Sequence, residues 1–149
     1  MAMLALASVS APCAAAKFVP FGTQPDGSDL YVQAAPPAIL PDGRRQGWFR
    51  TVPKTPQAVI DEFGVRQQYN EMLGLNVADC NTRSMGSASM TYRDDRGTVV
   101  AQFELPPNHV ELVKVRANTL GDAMFAWLCA QKKPGAAPAL QSGAASPFK

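Results

Sequence analysis

The sequence predicts an α+β domain: an antiparallel, meandering β-sheet packed by one C-terminal α-helix, with a strand-to-helix disulfide. Three observations carry that expectation. Runs of β-branched and aromatic residues recur between turn-forming clusters, most clearly Gly47-Trp48-Phe49-Arg50-Thr51-Val52 and Thr98 to Leu105. One helical stripe stands near the C-terminus, where Leu120, Met124, Trp127 and Leu128 fall at i, i+4, i+7 and i+8. Cys80 and Cys129 are the only cysteines after residue 16. A lone cysteine pair in a small exported domain reads as a disulfide rather than as catalysis.

Taken in order, Lys17 to Phe21 forms a short strand that ends at the turn-rich stretch Gly22 to Gly27. Leu30-Tyr31-Val32 continues as a second strand. Pro41-Asp42-Gly43 is turn chemistry, with Pro presetting φ and Gly accepting a positive one. Gly47 to Val52 is a strand stopped by Pro53. Lys54 to Val65 fits either one or two turns of helix, capped by Thr55 with Pro56 in first position, or an irregular connection.

The strand pattern returns from Val65 to Cys80, with a change of phase near Met72-Leu73 that predicts a bulge or bend. Asn81-Thr82-Arg83 reads as a hairpin turn into a strand over Met85 to Tyr92. Asp94-Asp95-Arg96-Gly97 is a tight turn into the Thr98 to Leu105 strand, which Pro106-Pro107 closes. Val110 to Val115 has strand-like composition between a turn and a helix. Asn118 or Thr119 then caps a helix running to about Gln131, with Asp122 at its positive end and Lys132-Lys133 at its negative end. Cys80 falls at a strand end and Cys129 in the last helical turn, so their bond would clamp the helix to the sheet.

Residues 1–16 read as a secretory signal peptide, with an apolar stretch from Ala2 to Val9 and Ala14-Ala15-Ala16 before Lys17. The basic n-region is missing, which a start codon placed further upstream would explain. Ser10-Ala11-Pro12 is a poor lipobox for Cys13. No later segment reaches the roughly 18–20 apolar residues of a membrane span. The domain then occupies residues 17–133, followed by a flexible low-complexity tail at 134–149. The chain has 14 basic and 12 acidic side chains, a net charge of +2, and no run of more than two like charges. A clustered basic footprint for nucleic acid is absent from that pattern.

Catalytic readings of individual residues are weaker than structural ones. His109 is the single histidine, so it cannot supply a multi-histidine metal site. Ser84, Ser87 and Ser89 lack the glycine-flanked elbow of a nucleophilic serine. Asp61-Glu62 and Asp94-Asp95 suit turn and surface roles and match no calcium-loop spacing. The helical stripe reads as core, and the scattered glycines form no phosphate loop. The expectation is therefore no catalytic residue, no metal site and no cofactor.

The order of landmarks resembles the surface-adhesin protein E-like domain of Gram-negative bacteria. Those landmarks are Asp26-Gly27 and Tyr31, then Trp48-Phe49, then a long strand ending in Asp79-Cys80. A polar turn, the Met85 to Tyr92 strand, Gly97 to Val100, Pro106-Pro107 and the Cys129 helix follow. The strand before Cys80 reads Asn76-Val77-Ala78-Asp79 and departs from the family's aromatic-acidic lead. The resemblance implies a small exported protein with paired cysteines, acting by binding rather than by catalysis. The expected function is an exported, non-enzymatic interaction protein of the periplasm or cell surface, adhesin-like and directed at a host extracellular protein. The alternative is a periplasmic structural or assembly factor that binds an envelope component. A homodimer is left open, and no nucleic-acid partner is expected.

Overall fold

The computed structural model describes residues 17–130. The expected leader at 1–16 and the tail at 134–149 lie outside them, as does Gln131. Ten strands and one α-helix follow one another: β1 Phe18–Thr23, β2 Asp29–Gln33, β3 Ala38–Ile39, β4 Arg45–Val52, β5 Gln57–Ile60, β6 Arg66–Tyr69, β7 Glu71–Asp79, β8 Ser84–Arg93, β9 Val99–Glu104, β10 Val113–Lys114 and α1 Leu120–Ala130. Eight strands form one antiparallel sheet in the order β1-β2-β4-β7-β8-β10, with β3 beside β4 and β9 beside β8. β5 and β6 form a separate hairpin. The α+β layout read from the sequence is the one observed.

β4 and β8 are long because each pairs with β7 along one side and with two shorter strands along the other. Where β4 passes from β2 to β3, the ladder would leave a peptide unpaired. Gln33 fills that gap: its Oε1 accepts from Trp48 N at 2.8 Å, and its Nε2 donates to the carbonyls of Ala35 and Pro36. A buried N–H needs such a partner, since leaving it bare costs about 1–3 kcal/mol.

The two faces follow from the register. Phe49, Gly74, Met90 and Phe103 lie across from one another on one face, and Trp48, Leu75, Ser89 and Glu104 on the other. α1 covers the first face near Ala78, packing Phe125 and Leu128 against Leu30, Val32 and Phe49. Trp127 meets Phe49 edge-to-face at 5.3 Å. At Gly47 a Cβ would come within 2.7 Å of Trp127, so only glycine lets the helix lie this close. The second face is covered at the same end by the segment after β9, whose Val110 packs on Val77 and Ala88. The Cys80–Cys129 disulfide joins the end of β7 to the last turn of α1, with Cα atoms 5.8 Å apart.

Three local expectations are corrected. Lys54 to Val65 is neither helical nor irregular: Gln57–Ile60 is a strand paired with Arg66–Tyr69. The β-branched Val59 and Ile60 before a tight turn outweigh the Thr-Pro cap signal. The break in the long strand falls at Asn70, not at Met72-Leu73, and a ladder irregularity comes later, between Leu75 and Asn76. In α1 the buried residues are Phe125 and Leu128, while Leu120, the first residue of the helix, is exposed. The helix is capped by Thr119, whose Oγ1 accepts from Asp122 N.

Candidate interaction surface

The end of the sheet away from α1 carries two hairpin turns of identical construction. In the first, Asp61 N donates to Val65 O, Gly64 N donates to Asp61 O, and Asp61 Oδ1 accepts from the N–H groups of Phe63 and Val65. In the second, Asp94 N donates to Thr98 O, Gly97 N donates to Asp94 O, and Asp94 Oδ1 accepts from Arg96 and Thr98. Gly64 and Gly97 have φ of 78° and 80°, where a side chain is strained. These carboxylates staple both turns, whose backbone pattern also forms without one at the first position over Gln24–Ser28 and Leu40–Arg44.

The charge state follows. The side-chain donor Gln67 and the backbone N–H of Val65 hold Asp61 below its ordinary value. Thr98 N–H, with Arg96 behind it, does the same for Asp94. Of the acidic residues weighed as acid–base or cation groups, Asp61 and Asp94 are thus occupied as turn staples, and Glu62 and Asp95 are exposed beside them. Among the described residues no group of three or more His, Cys, Asp or Glu side chains gathers as a metal site.

What differs is the third residue of each turn. Arg96 folds back on its own Asp94 at 3.2 Å, a polar side chain at a solvent position. Phe63 occupies the corresponding place in the other turn and is 82% exposed, with Ile60 and Val65 beside it at 55% and 52%. A full phenyl ring in water forgoes about 1.5–3 kcal/mol that burial would return. Turn geometry does not require it, as Arg96 shows. The hairpin base is firm: Tyr69 stacks edge-to-face on Tyr92 at 4.8 Å, and Tyr92 on Phe103 at 6.2 Å. Burial raises the phenol pKa of both tyrosines, with Asp26 adding to the effect at Tyr69 and Tyr69 at Tyr92.

Other candidates are structural or weaker. His109 is exposed in a 3₁₀ turn, Pro107–His109, and no hydrogen bond joins it to Ser84, Ser87 or Ser89. Ser84 pairs with Thr82 and Ser87 donates to Asn76 Oδ1. A shallow groove of ≈ 250 Å³ at the start of α1 is lined by Met85, Val113 and Val115 with Lys114 and Arg116. At the helix start Asp122 N donates to Thr119 Oγ1 and Asn118 N donates to Asp122 Oδ2, and Asp122 also holds Arg83. On the face opposite α1, Glu71 bridges Arg50 at 2.7 Å and Arg93 at 3.5 Å, with Arg50 lying over Tyr31. No helix among the described residues is long and apolar enough to cross a membrane. No family model, no curated protein and no solved structure matches the chain.

Sequence reading missed the β5–β6 hairpin and its tip, because Lys54 to Val65 was open between two other states. The signal was present in the repeat of Asp-x-x-Gly at 61–64 and 94–97.

Proposed function

We propose that this chain is an exported, non-enzymatic binding protein that engages a partner through the β5–β6 tip. The observation that supports the reading is the contrast between twin turns: the same carboxylate scaffold carries arginine in one and a solvent-exposed phenylalanine in the other. A rigid aromatic on a pre-ordered loop is the usual form of an interface anchor, because its ordering entropy is spent before binding. The tip suits an apolar pocket with a basic rim, since Glu62 adjoins Phe63. Asp61 and Glu62 against Arg66 leave it without the cationic surround that anionic lipid surfaces attract.

In the adhesin-like form of this reading, which the protein E-like resemblance supports, the partner is a host extracellular protein. Export is supported by the leader-like residues 1–16 and by the disulfide, which persists in oxidising compartments. The test is binding to immobilised extracellular-matrix extract, comparing wild type with Phe63→Ser and Arg96→Ser. Hot-spot truncation weakens binding by about 30-fold or more, so Phe63→Ser should lose retention and Arg96→Ser should keep it. Equal retention of both variants would remove the tip as the anchor. Complete protection from protease added to intact cells would sink the surface location and leave an envelope component as the partner.

A further inference from the structure

The sheet has two long outer strands, β1 and β9, and their ladders fix which peptide groups point outward. Ala34 N donates to Lys17 O at 2.8 Å, so by alternation along the β1–β2 ladder Phe18 and Pro20 turn their backbone away from β2. Pro20 has no N–H to offer, and a register shift follows it before Gly22. This edge is blocked in the way natural sheets block edges. β10 continues the other edge for two residues only, with Lys114 at its outward position.

β9 carries its register shift at Val100, near its start, and has no such guard from Ala101 onward. Leu105 N donates to Ala88 O at 2.7 Å, and the register then pairs Phe103 with Met90 and Ala101 with Tyr92 as inward, hydrogen-bonded positions. Gln102 and Glu104 therefore direct both N–H and C=O to the open side. No strand pairs with β9 there among the described residues; β6 lies close to β9 through the Tyr69–Tyr92–Phe103 stack but pairs only with β5. From Ala101 to Leu105 the strand contains no proline and no register shift. Phe103 is 42% exposed and Leu105 is 50% exposed.

We propose that this edge pairs with β9 of a second copy of the chain, joining two sheets into one across a two-fold axis at Phe103. The occupant is argued from self-complementarity. Centred on Phe103, an antiparallel pair sets Gln102 opposite the partner's Glu104, and each exchanges its outward N–H and C=O with the other. Phe103 meets its own copy as a close non-hydrogen-bonded pair, and Ala101 meets Leu105. Moving the centre to Glu104 opposes two carboxylates. Moving it to Gln102 sets Glu104 against Val100, the extra residue at the β8–β9 register shift. The Phe103-centred register avoids both. The interface names the second copy as partner for the homodimer left open by the sequence and is separate from the Phe63 tip, so each is tested alone.

The experiment is sedimentation equilibrium of the disulfide-formed protein over a concentration series, with circular dichroism and thermal melts confirming that each variant is folded. Gln102→Pro removes an N–H that β8 does not use, and it should abolish the dimer. Gln102→Lys faces the partner's Glu104 twice by symmetry and should tighten the dimer about 2- to 30-fold, and Gln102→Glu should weaken it by a similar factor. The gain from Gln102→Lys should shrink as salt is raised. A wild type that stays monomeric throughout overturns the dimer. A dimer whose affinity ignores all three substitutions overturns the β9 edge and assigns the interface to another face.

Discussion

At the helix-covered end of the sheet, Phe49, Phe125 and Leu128 are buried and a disulfide closes the seam, whereas at the hairpin end Phe63, Ile60 and Val65 stand in solvent on a carboxylate-stapled turn. The first region uses its apolar residues for cohesion. The second holds its turn with polar contacts above an aromatic stack of Tyr69, Tyr92 and Phe103, and leaves the apolar residues of the tip free. On the proposed reading, stability and recognition are separated along the sheet, so substitutions at the two ends should affect different measurements.

The largest expected effect is at the clamp. Cys80 and Cys129 are separated by 49 residues. Opening a loop of that size should cost about 4 kcal/mol in the chain-entropy picture. Urea denaturation of the Cys80→Ser, Cys129→Ser protein measures it, and an unchanged midpoint would mean that the bond constrains nothing the core does not already hold. Next is Gly47→Ala, whose Cβ would press on Trp127 and Leu128. Overpacking of this kind costs about 1–3 kcal/mol. Gly64→Ala has open space around it but a φ of 78°, so it should cost about 1 kcal/mol, the ordinary penalty for a side chain in that region. A larger loss from Gly64→Ala than from Gly47→Ala would reverse the assignment of the two ends.

Acid should separate the regions without any mutation. Asp61 and Asp94 titrate below the ordinary value of 3.8 because they accept backbone and side-chain hydrogen bonds in the folded state. Their contribution is therefore complete above that value and fades as pH falls through the depressed one. Amide chemical shifts of Phe63 and Arg96 should move together in that range, while those of Leu128 stay fixed. Asp61→Asn should remove the response at Phe63 and leave it at Arg96. The smallest effect on folding is expected from Phe63→Ser, within about 0.5 kcal/mol of wild type as for other surface substitutions, even though it should abolish retention on matrix extract.

Much of the sheet was legible because alternation and turn chemistry are local signals. Gly47 to Val52 and Thr98 to Leu105 announced β4 and β9 through β-branched and aromatic residues, and Asp94 to Gly97 announced its turn. The segment at Lys54 to Val65 was not legible, since Thr55-Pro56 mimics a helix start and Asp61 shows its role only when Val65 returns to meet it. Leu120 misled because a helical stripe gives direction but not which of its residues are covered. The exposure of Phe63 was also hidden: periodicity marks an apolar residue without saying whether anything covers it.

The sequence by itself determined the fold class, the strand-rich body with a terminal helix, and the cysteine pair, because each rests on residues near in sequence or on there being two cysteines after residue 16. Only the tertiary structure decided which surfaces remain open. The pairing of β8 with both β9 and β10, the twin turns on one end and the unguarded backbone at Gln102 and Glu104 depend on contacts between distant segments. Local pattern sets what a strand can pair with, and the assembled sheet sets which of its edges is left to pair.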